Sequence, residues 1–244
     1  MKPISGAPIS YELALRAQEA LVALRRDDRL PDTLWVLEHR PVITFGTSGG
    51  EDHLLLAKGE IARRGFEIHP TRRGGDVTCH EPGQLVGYPI VSLDAPEDRD
   101  LHEYLRRIEG ALIAALATWD LEADRVAGRT GVWLDVRRQP KKIAAIGVRC
   151  AGWITSHGFA LNVTNSLEGF RLIVPCGISD AGVTRLLDVV PPDRLPSMED
   201  VARTIHRELE RALDRPLALL RGEEALDRAG LSREDEPRMP APKI

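Results

Sequence analysis

The pattern of apolar and polar residues predicts helices near both ends of the chain. Ser10 precedes a run in which apolar residues recur at helical spacing from Leu13 to Leu24, so we expect a helix capped by Ser10. Ser197 and Asp200 have the spacing of a capping box before another amphipathic run. The pattern predicts further helices over residues 51–65, 100–119, 201–214 and 217–229.

Short alternating runs between these helices predict β-strands. Thr33–His39 and Pro41–Gly46 have the pattern of two strands joined by a tight turn. Additional strands are predicted within residues 66–70, 76–80, 84–93, 123–126, 131–136, 142–150 and 157–163. This mixture of short strands and flanking helices predicts a single domain of the α/β or α+β class. We expect the catalytic domain to cover residues 1–215, with a C-terminal helical extension and a mobile tail over 216–244.

Composition narrows the range of partners and locations. The chain has 244 residues, is 43% hydrophobic and carries a formal net charge of −4 with charges interspersed. No basic stripe is present, so we expect no nucleic-acid partner. Met1–Ser10 lacks the pattern of a secretory signal, and no apolar run approaches the roughly 20 residues that span a bilayer. We therefore expect a cytoplasmic protein with no membrane association.

The three cysteines are unlike a disulfide framework or a CxxC motif, because they are odd in number and widely spaced. Cys79 and Cys150 lie in alternating strand patterns, and we expect both to be packing residues. Cys176 differs, because it follows an apolar run and precedes Gly177 in the segment LIVPCGISDAGVT. It is the candidate nucleophile.

The segment RRGGDVTCHEPGQ is dense in glycine around a short strand that ends at His80. Glycines at this density allow backbone amides to approach a ligand, or simply allow a hairpin that carries a surface pair, Arg72 and Arg73. The segment alone leaves both interpretations open. It matches neither the GxxxxGK[ST] pattern of a phosphate-binding loop nor the HExxH pattern of a zinc site.

Lys142 begins a strand of small and apolar residues, so its ammonium is expected to be partly withdrawn from water, although an isolated lysine is ordinarily a solvated charge. His157 in SHGFALNV is an orienting or binding residue or a satisfied core histidine. An ammonium about 4 Å from a thiolate at an effective dielectric near 20 would favour the anion by up to ~4 kcal/mol. Cys176 and Lys142 together therefore suffice for two successive acyl transfers.

These segments together resemble the lipoyl(octanoyl) transferases. The family pattern RGGxxTxH–PGQ, KI–GxR, HGxALN and PCG–T is met in order over roughly residues 10–215. The residues that match it are Arg73, Gly74, Gly75, Thr78, His80, Pro82, Gly83, Gln84, Lys142, Ile143, Gly147, Arg149, His157, Gly158, Ala160, Leu161, Asn162, Pro175, Cys176, Gly177 and Thr184. The chain departs from the pattern at Ala151, Gly152 and Arg185, which affects expected partner contacts more than chemistry.

The resemblance implies a mixed β-sheet flanked by helices, as in lipoate and biotin protein ligases. It also implies that Cys176 carries an acyl thioester and that Lys142 tunes this thiol, with His157, Asn162 and Thr184 in supporting positions and with no metal or other cofactor. The implied acyl-binding residues are Arg73, Gly74, Gly75, Asp76, Val77, Thr78, Cys79, His80, Ala145, Ile146, Gly147, Gly158, Phe159 and Ala160.

The implied reaction moves an octanoyl group from octanoyl-acyl carrier protein to a lysine of an acceptor. The implied acceptors are the lipoyl domains of 2-oxoacid dehydrogenases and the glycine cleavage H protein. Two alternatives remain at this point. One is an ATP-dependent lipoate or biotin ligase on the same fold, and the other is a non-catalytic module that binds carrier proteins or lipoyl domains.

Overall fold

The computed structural model describes residue 4 and residues 6–174 and 181–237. Its helices are α1 (Tyr11–Arg26), α2 (Lys58–Arg63), α3 (Leu101–Ala117), α4 (Leu186–Val189), α5 (Met198–Leu213) and α6 (Glu223–Arg228). Its strands are β1 (Thr33–Leu37), β2 (Val42–Phe45), β3 (Glu67–Pro70), β4 (Val77–His80), β5 (Gln84–Ile90), β6 (Asp124–Val126), β7 (Arg129–Leu134), β8 (Lys141–Ala151), β9 (Ile154–Asn162), β10 (Gly182–Val183) and β11 (Ala218–Arg221).

Most strands belong to one mixed sheet with the order β11–β1–β5–β9–β8–β7–β6, and β10 pairs in parallel with β8. Helix α1 packs on one face of this sheet, and α3 and α5 pack on the other. The predicted single domain with a mixed sheet flanked by helices is therefore confirmed. Among the described residues, no helix is both long and apolar enough to cross a membrane.

Helix α1 forms where the sequence predicts it. The Ser10 side chain accepts a hydrogen bond from the Leu13 amide, which satisfies one of the unpaired donors of the first turn. Leu13, Ala17 and Leu21 are fully buried. Their spacing places one apolar stripe of α1 against the sheet.

A second sheet consists of β3, β2 and β4, with β2 parallel to β3 and antiparallel to β4. Its core contains Ile43, Phe66, Cys79 and Phe170. Both predicted strands are present and only residues 38–41 join them, but they do not pair with each other, because β1 pairs with β5 and β11 and β2 lies in the second sheet. These partners are distant in sequence, so the local pattern of residues does not predict them.

The second predicted helix is broken. Glu51–His53 forms one 3₁₀ turn and α2 begins only at Lys58. Between them, Leu54 bridges Ile173 and the Leu55 amide donates to the Leu172 carbonyl, so pairing with a distant segment replaces helical hydrogen bonds.

The predicted helix over 217–229 is also only partly correct. Residues Ala218–Arg221 form β11, parallel to β1, and only Glu223–Arg228 are helical. Long-range strand pairing here overrides the helix propensity of the leucine-rich run.

Residues 232–236, which fall in the segment expected to be a mobile tail, contact the start of the chain. The Ser10 amide donates to the Glu236 carboxylate at 3.4 Å, and Arg40 pairs with the same group. Arg233 donates to the Pro8 carbonyl at 2.9 Å and to Glu236 at 2.8 Å. Residues 238–244 lie outside the described residues.

Candidate active site

A cavity of about 650 Å³ opens between the main sheet, the loop before β4 and strand β10. Its floor consists of very small residues on β8 and β9. Ala145 lies opposite Ala160 and Gly147 lies opposite Gly158, and directly paired residues share one face of a sheet. Val86 on β5 continues the first of these rows. These four alanine and glycine residues leave a trough along the surface of the sheet.

The glycine-rich segment forms the roof of this trough. The Gly74 amide donates to the Val148 carbonyl at 2.8 Å, which fixes the loop on β8. A Cβ atom on Gly147 would lie 2.8 Å from the Gly74 carbonyl oxygen, so the close approach requires glycine. Gly75 has a φ of +84°, which also favours glycine.

Arg73 is buried, in contrast to the surface arginine pair that the hairpin interpretation predicts, whereas Arg72 is exposed. The Arg73 guanidinium donates to the Thr44 carbonyl at 2.7 Å and to the Gly74 carbonyl at 3.2 Å. This group places a positive charge inside the protein next to the cavity.

Lys142 lies at one end of the trough and is half-buried, as expected from the apolar sequence around it. Its Nζ atom stands 4.6 Å from the centroid of the Trp133 ring, in a cation–π geometry. Val183 of β10 is its Cα partner across the sheet. The ammonium is thus held over an aromatic face rather than extended into water.

A chain of hydrogen bonds connects the trough to Lys142 through buried amides. His80 Nδ1 contacts Gln84 Oε1 at 2.8 Å, and Gln84 donates to Asn162 Oδ1 at 2.9 Å. Asn162 donates to the Thr184 carbonyl at 3.0 Å, and the Thr184 amide donates to the Lys142 carbonyl at 3.0 Å. Asn162 and Thr184 therefore hold β10 against β8 from outside the cavity wall.

The end of the trough away from Lys142 is a cluster of aromatic rings. Tyr11 stacks on His80 with centroids 6.1 Å apart, and both line the cavity together with Tyr88. Tyr88 donates its hydroxyl proton to His39 Nε2 at 2.6 Å, and His39 Nδ1 donates to the Ile9 carbonyl at 3.0 Å. This tautomer follows from the bond to a carbonyl, which can only accept.

Burial keeps the histidines of this cluster neutral. Desolvation lowers the pKa of His39 to about 4 and that of His80 to about 3. Desolvation, followed by the charges of Arg73 and Arg149, lowers the pKa of His157 to about 4. Burial also raises the pKa of Tyr88 well above its usual value. The cluster is therefore an uncharged wall at neutral pH.

His157 is buried in a strained conformation and is not the satisfied core histidine of one sequence interpretation. Its φ is +56°, its amide donates to Gln18 Oε1 at 2.7 Å, and its Nδ1 atom has no hydrogen-bond partner. The turn in the backbone brings Gly158 close to the Gly87 carbonyl, where a Cβ atom would lie at 2.2 Å.

Most of the predicted site residues lie around this one cavity. Its walls include Arg73, Gly74, Gly75, Asp76, Val77, Thr78, His80, Lys142, Ala145, Ile146, Gly147, His157, Gly158, Phe159 and Ala160. Cys79 does not line it, because its side chain is buried in the core of the second sheet beside Gly169. Cys176 lies outside the described residues.

Sequence reasoning missed several residues of the cavity, among them Tyr11, Tyr88 and Trp133. Tyr11 and Tyr88 sit within an amphipathic helix and a buried strand, where an aromatic residue is an ordinary core residue. Trp133 lies opposite Lys142 on the neighbouring strand, but the sequence pattern of a strand does not reveal this pairing. His53, which contacts Asp76 at 2.7 Å, was also not singled out.

Comparison with known proteins agrees with this geometry. Residues 10–210 match the family model described as the lipoyl protein ligase A/B catalytic domain. A protein named octanoyltransferase from Acidobacterium capsulatum is 48% identical over 212 residues, covering 83% of this chain and 86% of that protein. Another of that name from Chloroflexus aurantiacus is 44% identical, covering 81% and 86% respectively.

Solved structures share the fold at low identity. A putative lipoate protein ligase from T. acidophilum, solved with bound lipoic acid, superposes with a TM-score of 0.71 at 16% identity and covers 92% of this chain and 89% of that one. A lipoate-protein ligase A bound with ATP gives 0.68 at 16% identity, covering 91% of each chain. Because residues 10–210 match the family model and the two octanoyltransferases are 48% and 44% identical over most of both chains, the protein belongs to the lipoyl protein ligase A/B catalytic domain family, in its octanoyltransferase group.

Proposed function

We propose that this octanoyltransferase works by covalent catalysis, with Cys176 as the nucleophile that carries the octanoyl group and Lys142 as the proton-transfer partner of Cys176. The donor is octanoyl-acyl carrier protein and the acceptor is a lysine of a lipoyl domain. The observation that carries the proposal is the position of Lys142 on the cavity wall, where it pairs with Val183 of β10. In sequence, β10 comes shortly after Cys176.

The trough supports an acyl group as the bound part of the substrate. A linear alkyl chain needs a narrow apolar channel rather than polar partners, because its binding comes from the surface it removes from water. The floor of alanine and glycine between β8 and β9 offers such a channel. It starts near Lys142 and ends at an uncharged aromatic wall.

In the first transfer, the thiolate of Cys176 attacks the carbonyl carbon of the donor thioester. The bond between this carbon and the carrier sulfur breaks, and Lys142 donates a proton to the departing thiolate. The enzyme now holds an octanoyl thioester and a neutral lysine, and the carrier leaves as a free thiol.

In the second transfer, the amine of the acceptor lysine attacks the same carbonyl carbon. Cys176 leaves as a thiolate, and the neutral Lys142 accepts the proton that the amine loses as it becomes an amide. Lysine returns to the ammonium form next to a thiolate, so the cycle closes without any other proton carrier. The face of Trp133 stabilises this ammonium in a half-buried position.

We place the reaction in the cytoplasm and expect the acceptors to include lipoyl domains of 2-oxoacid dehydrogenases and the glycine cleavage H protein. One T. acidophilum neighbour in the fold comparison was solved as a bipartite lipoate protein ligase with its E2 lipoyl domain. That neighbour supports a lipoyl domain as a partner for a protein of this fold.

The test separates transfer from ATP-dependent ligation and from binding alone. Octanoylation of a purified lipoyl domain is followed by mass spectrometry with octanoyl carrier protein in nucleotide-free buffer that contains EDTA. A parallel reaction contains free octanoate, ATP and magnesium. A thioester donor already carries the activation that ATP would supply, so we expect product only in the first reaction. Product only in the second identifies a ligase, and none in either identifies a binding module.

A further inference from the structure

The aromatic end of the trough contains a ring, that of Tyr88, whose hydroxyl bonds to a residue outside the cavity. Tyr88 faces the cavity from β5, and its hydroxyl donates to His39, a fully buried residue that is not part of the cavity wall. His39 in turn donates to the Ile9 carbonyl. The hydroxyl is thus directed away from the cavity, and the ring itself is the surface that a ligand can contact.

Across the sheet from β8 to β1, Tyr88 is the last residue that lines the cavity, and the residue beyond it belongs to the buried core. Trp35 of β1 is its direct partner across the sheet, with ring centroids 5.7 Å apart, and is fully buried. The Trp35 indole donates to the Gly222 carbonyl at 3.0 Å, which fixes its position. No wall residue of the cavity lies on β1. Removal of the Tyr88 ring would therefore extend the trough by about one strand spacing, roughly 4.8 Å, up to Trp35.

The distance from Lys142 to Tyr88 suits a chain of medium length. The two residues lie on strands separated by β9, and Gly147, five residues after Lys142, marks the inner end of the floor. Two strand spacings of about 4.8 Å and five residues of about 3.3 Å give roughly 19 Å between their Cα atoms. The two side chains occupy part of that distance, and the remainder is the room for the acyl chain.

We propose that Tyr88, held in place by His39, is the end wall that limits acyl length. The inference rests on the proposed function, in which the trough holds the acyl chain of the thioester. Chains longer than the trough meet the ring, which leaves no room for additional methylene groups.

The experiment compares Tyr88→Ala with Tyr88→Phe, which keeps the ring. Tyr104→Ala is the matched control, because Tyr104 is equally buried but lies outside the cavity wall. Octanoyl, decanoyl and dodecanoyl carrier proteins compete for the enzyme, and intact mass gives the ratio of adducts. We expect Tyr88→Ala to raise the dodecanoyl-to-octanoyl ratio about tenfold or more. Tyr88→Phe and Tyr104→Ala should keep the wild-type ratio.

Calorimetric binding of octanoate and dodecanoate to the wild-type protein gives a readout that needs neither turnover nor a variant. We expect octanoate to bind about tenfold more tightly than dodecanoate. Equal binding of the two acids, an unchanged adduct ratio in Tyr88→Ala, or the same shift in Tyr104→Ala overturns the inference. If no thioester acylates the enzyme but the acids still discriminate, the proposed reaction fails while the end wall stands.

Discussion

Burial makes Cys79 and Cys150, the two cysteines that the structure describes, less reactive because it raises the pKa of their thiols. Desolvation, and next the charge of Glu81, raises the pKa of Cys79 well above its usual value. Desolvation also raises the pKa of Cys150, partly offset by a hydrogen bond with the backbone of Trp153. Thiolate is the reactive form, so neither residue competes with Cys176 for an acyl group at neutral pH.

At the scale of a single residue, Lys142 gives the clearest test of the proton-transfer role. In Lys142→Ala, alkylation of Cys176 by iodoacetamide should become slower at neutral pH and move to more alkaline pH, because the thiolate loses a neighbouring cation. Lys142→Arg should restore much of the alkylation rate but little of the transfer to a lipoyl domain, since guanidinium does not give up its proton. Alkylation profiles that coincide in wild type and Lys142→Ala would show that the two side chains are uncoupled.

At the scale of elements, local sequence signals succeeded where structure is local. Ser10 and the apolar stripe after it define α1, and Gly65, with a φ of +83°, ends the second helical segment as expected. The same signals failed where a distant partner decides the outcome. Strand β2 pairs with β3 and β4 rather than with β1, and residues 218–221 pair with β1 rather than continue a helix. A pattern of alternating residues identifies a strand but not the strand beside it.

Glu109 provides a test of how α3 is attached to the edge of the cavity. Its carboxylate is 1% exposed and accepts from the Gly131 amide at 3.0 Å, from Arg125 at 2.9 Å and from Arg106 at 2.6 Å. We expect Glu109→Ala to lower the free energy of unfolding by about 2–3 kcal/mol, because the buried amide of Gly131 loses its partner.

Urea unfolding measures the effect of Glu109→Ala, and Glu103→Ala on the same helix is its control. Glu103 is exposed and pairs with Arg107 at 3.3 Å, so its loss should cost less than about 0.5 kcal/mol. Equal effects of the two substitutions would show that the buried carboxylate does not hold α3 to β7.

At the scale of the whole molecule, the sequence motifs predicted which segments meet at the cavity, but they did not predict the aromatic residues that complete its walls. Motif residues from three separate segments, such as Arg73, Lys142 and Gly158, meet around one cavity. Tyr11 and Tyr88 could not be assigned to it, because nothing local distinguishes an aromatic residue that faces a cavity from one that faces core. Cys79 shows the reverse, since alternation along β4 turns its side chain away from the walls formed by Thr78 and His80.

The buried neutral histidines make the stability of the fold depend on pH. The folded-state pKa values of His39, His80 and His157 are about 4, 3 and 4, below the value near 6.5 of an unfolded chain. The unfolded state therefore binds more protons as pH falls below about 6.5, and the free energy of unfolding decreases down to about pH 4. Above pH 6.5 this loss is absent.

His39→Gln tests this linkage by urea unfolding at pH 7, 6 and 5. One histidine contributes a slope of up to about 1.4 kcal/mol per pH unit in this window. The variant should be less stable than wild type at pH 7, because Tyr88 and Ile9 lose a partner, yet lose less stability on acidification. A variant whose stability falls as steeply as that of wild type would refute the assignment for His39.

The intact mass of the enzyme after incubation with octanoyl carrier protein alone tests covalent catalysis most directly. Wild type, Cys79→Ala and Cys150→Ala should each gain one octanoyl group, located on Cys176 by peptide mapping, and should lose it when a lipoyl domain is added. Cys176→Ser should gain none and should not turn over, because an alkoxide is much harder to generate than a thiolate. An adduct on another residue, or full transfer activity in Cys176→Ser, would contradict the account.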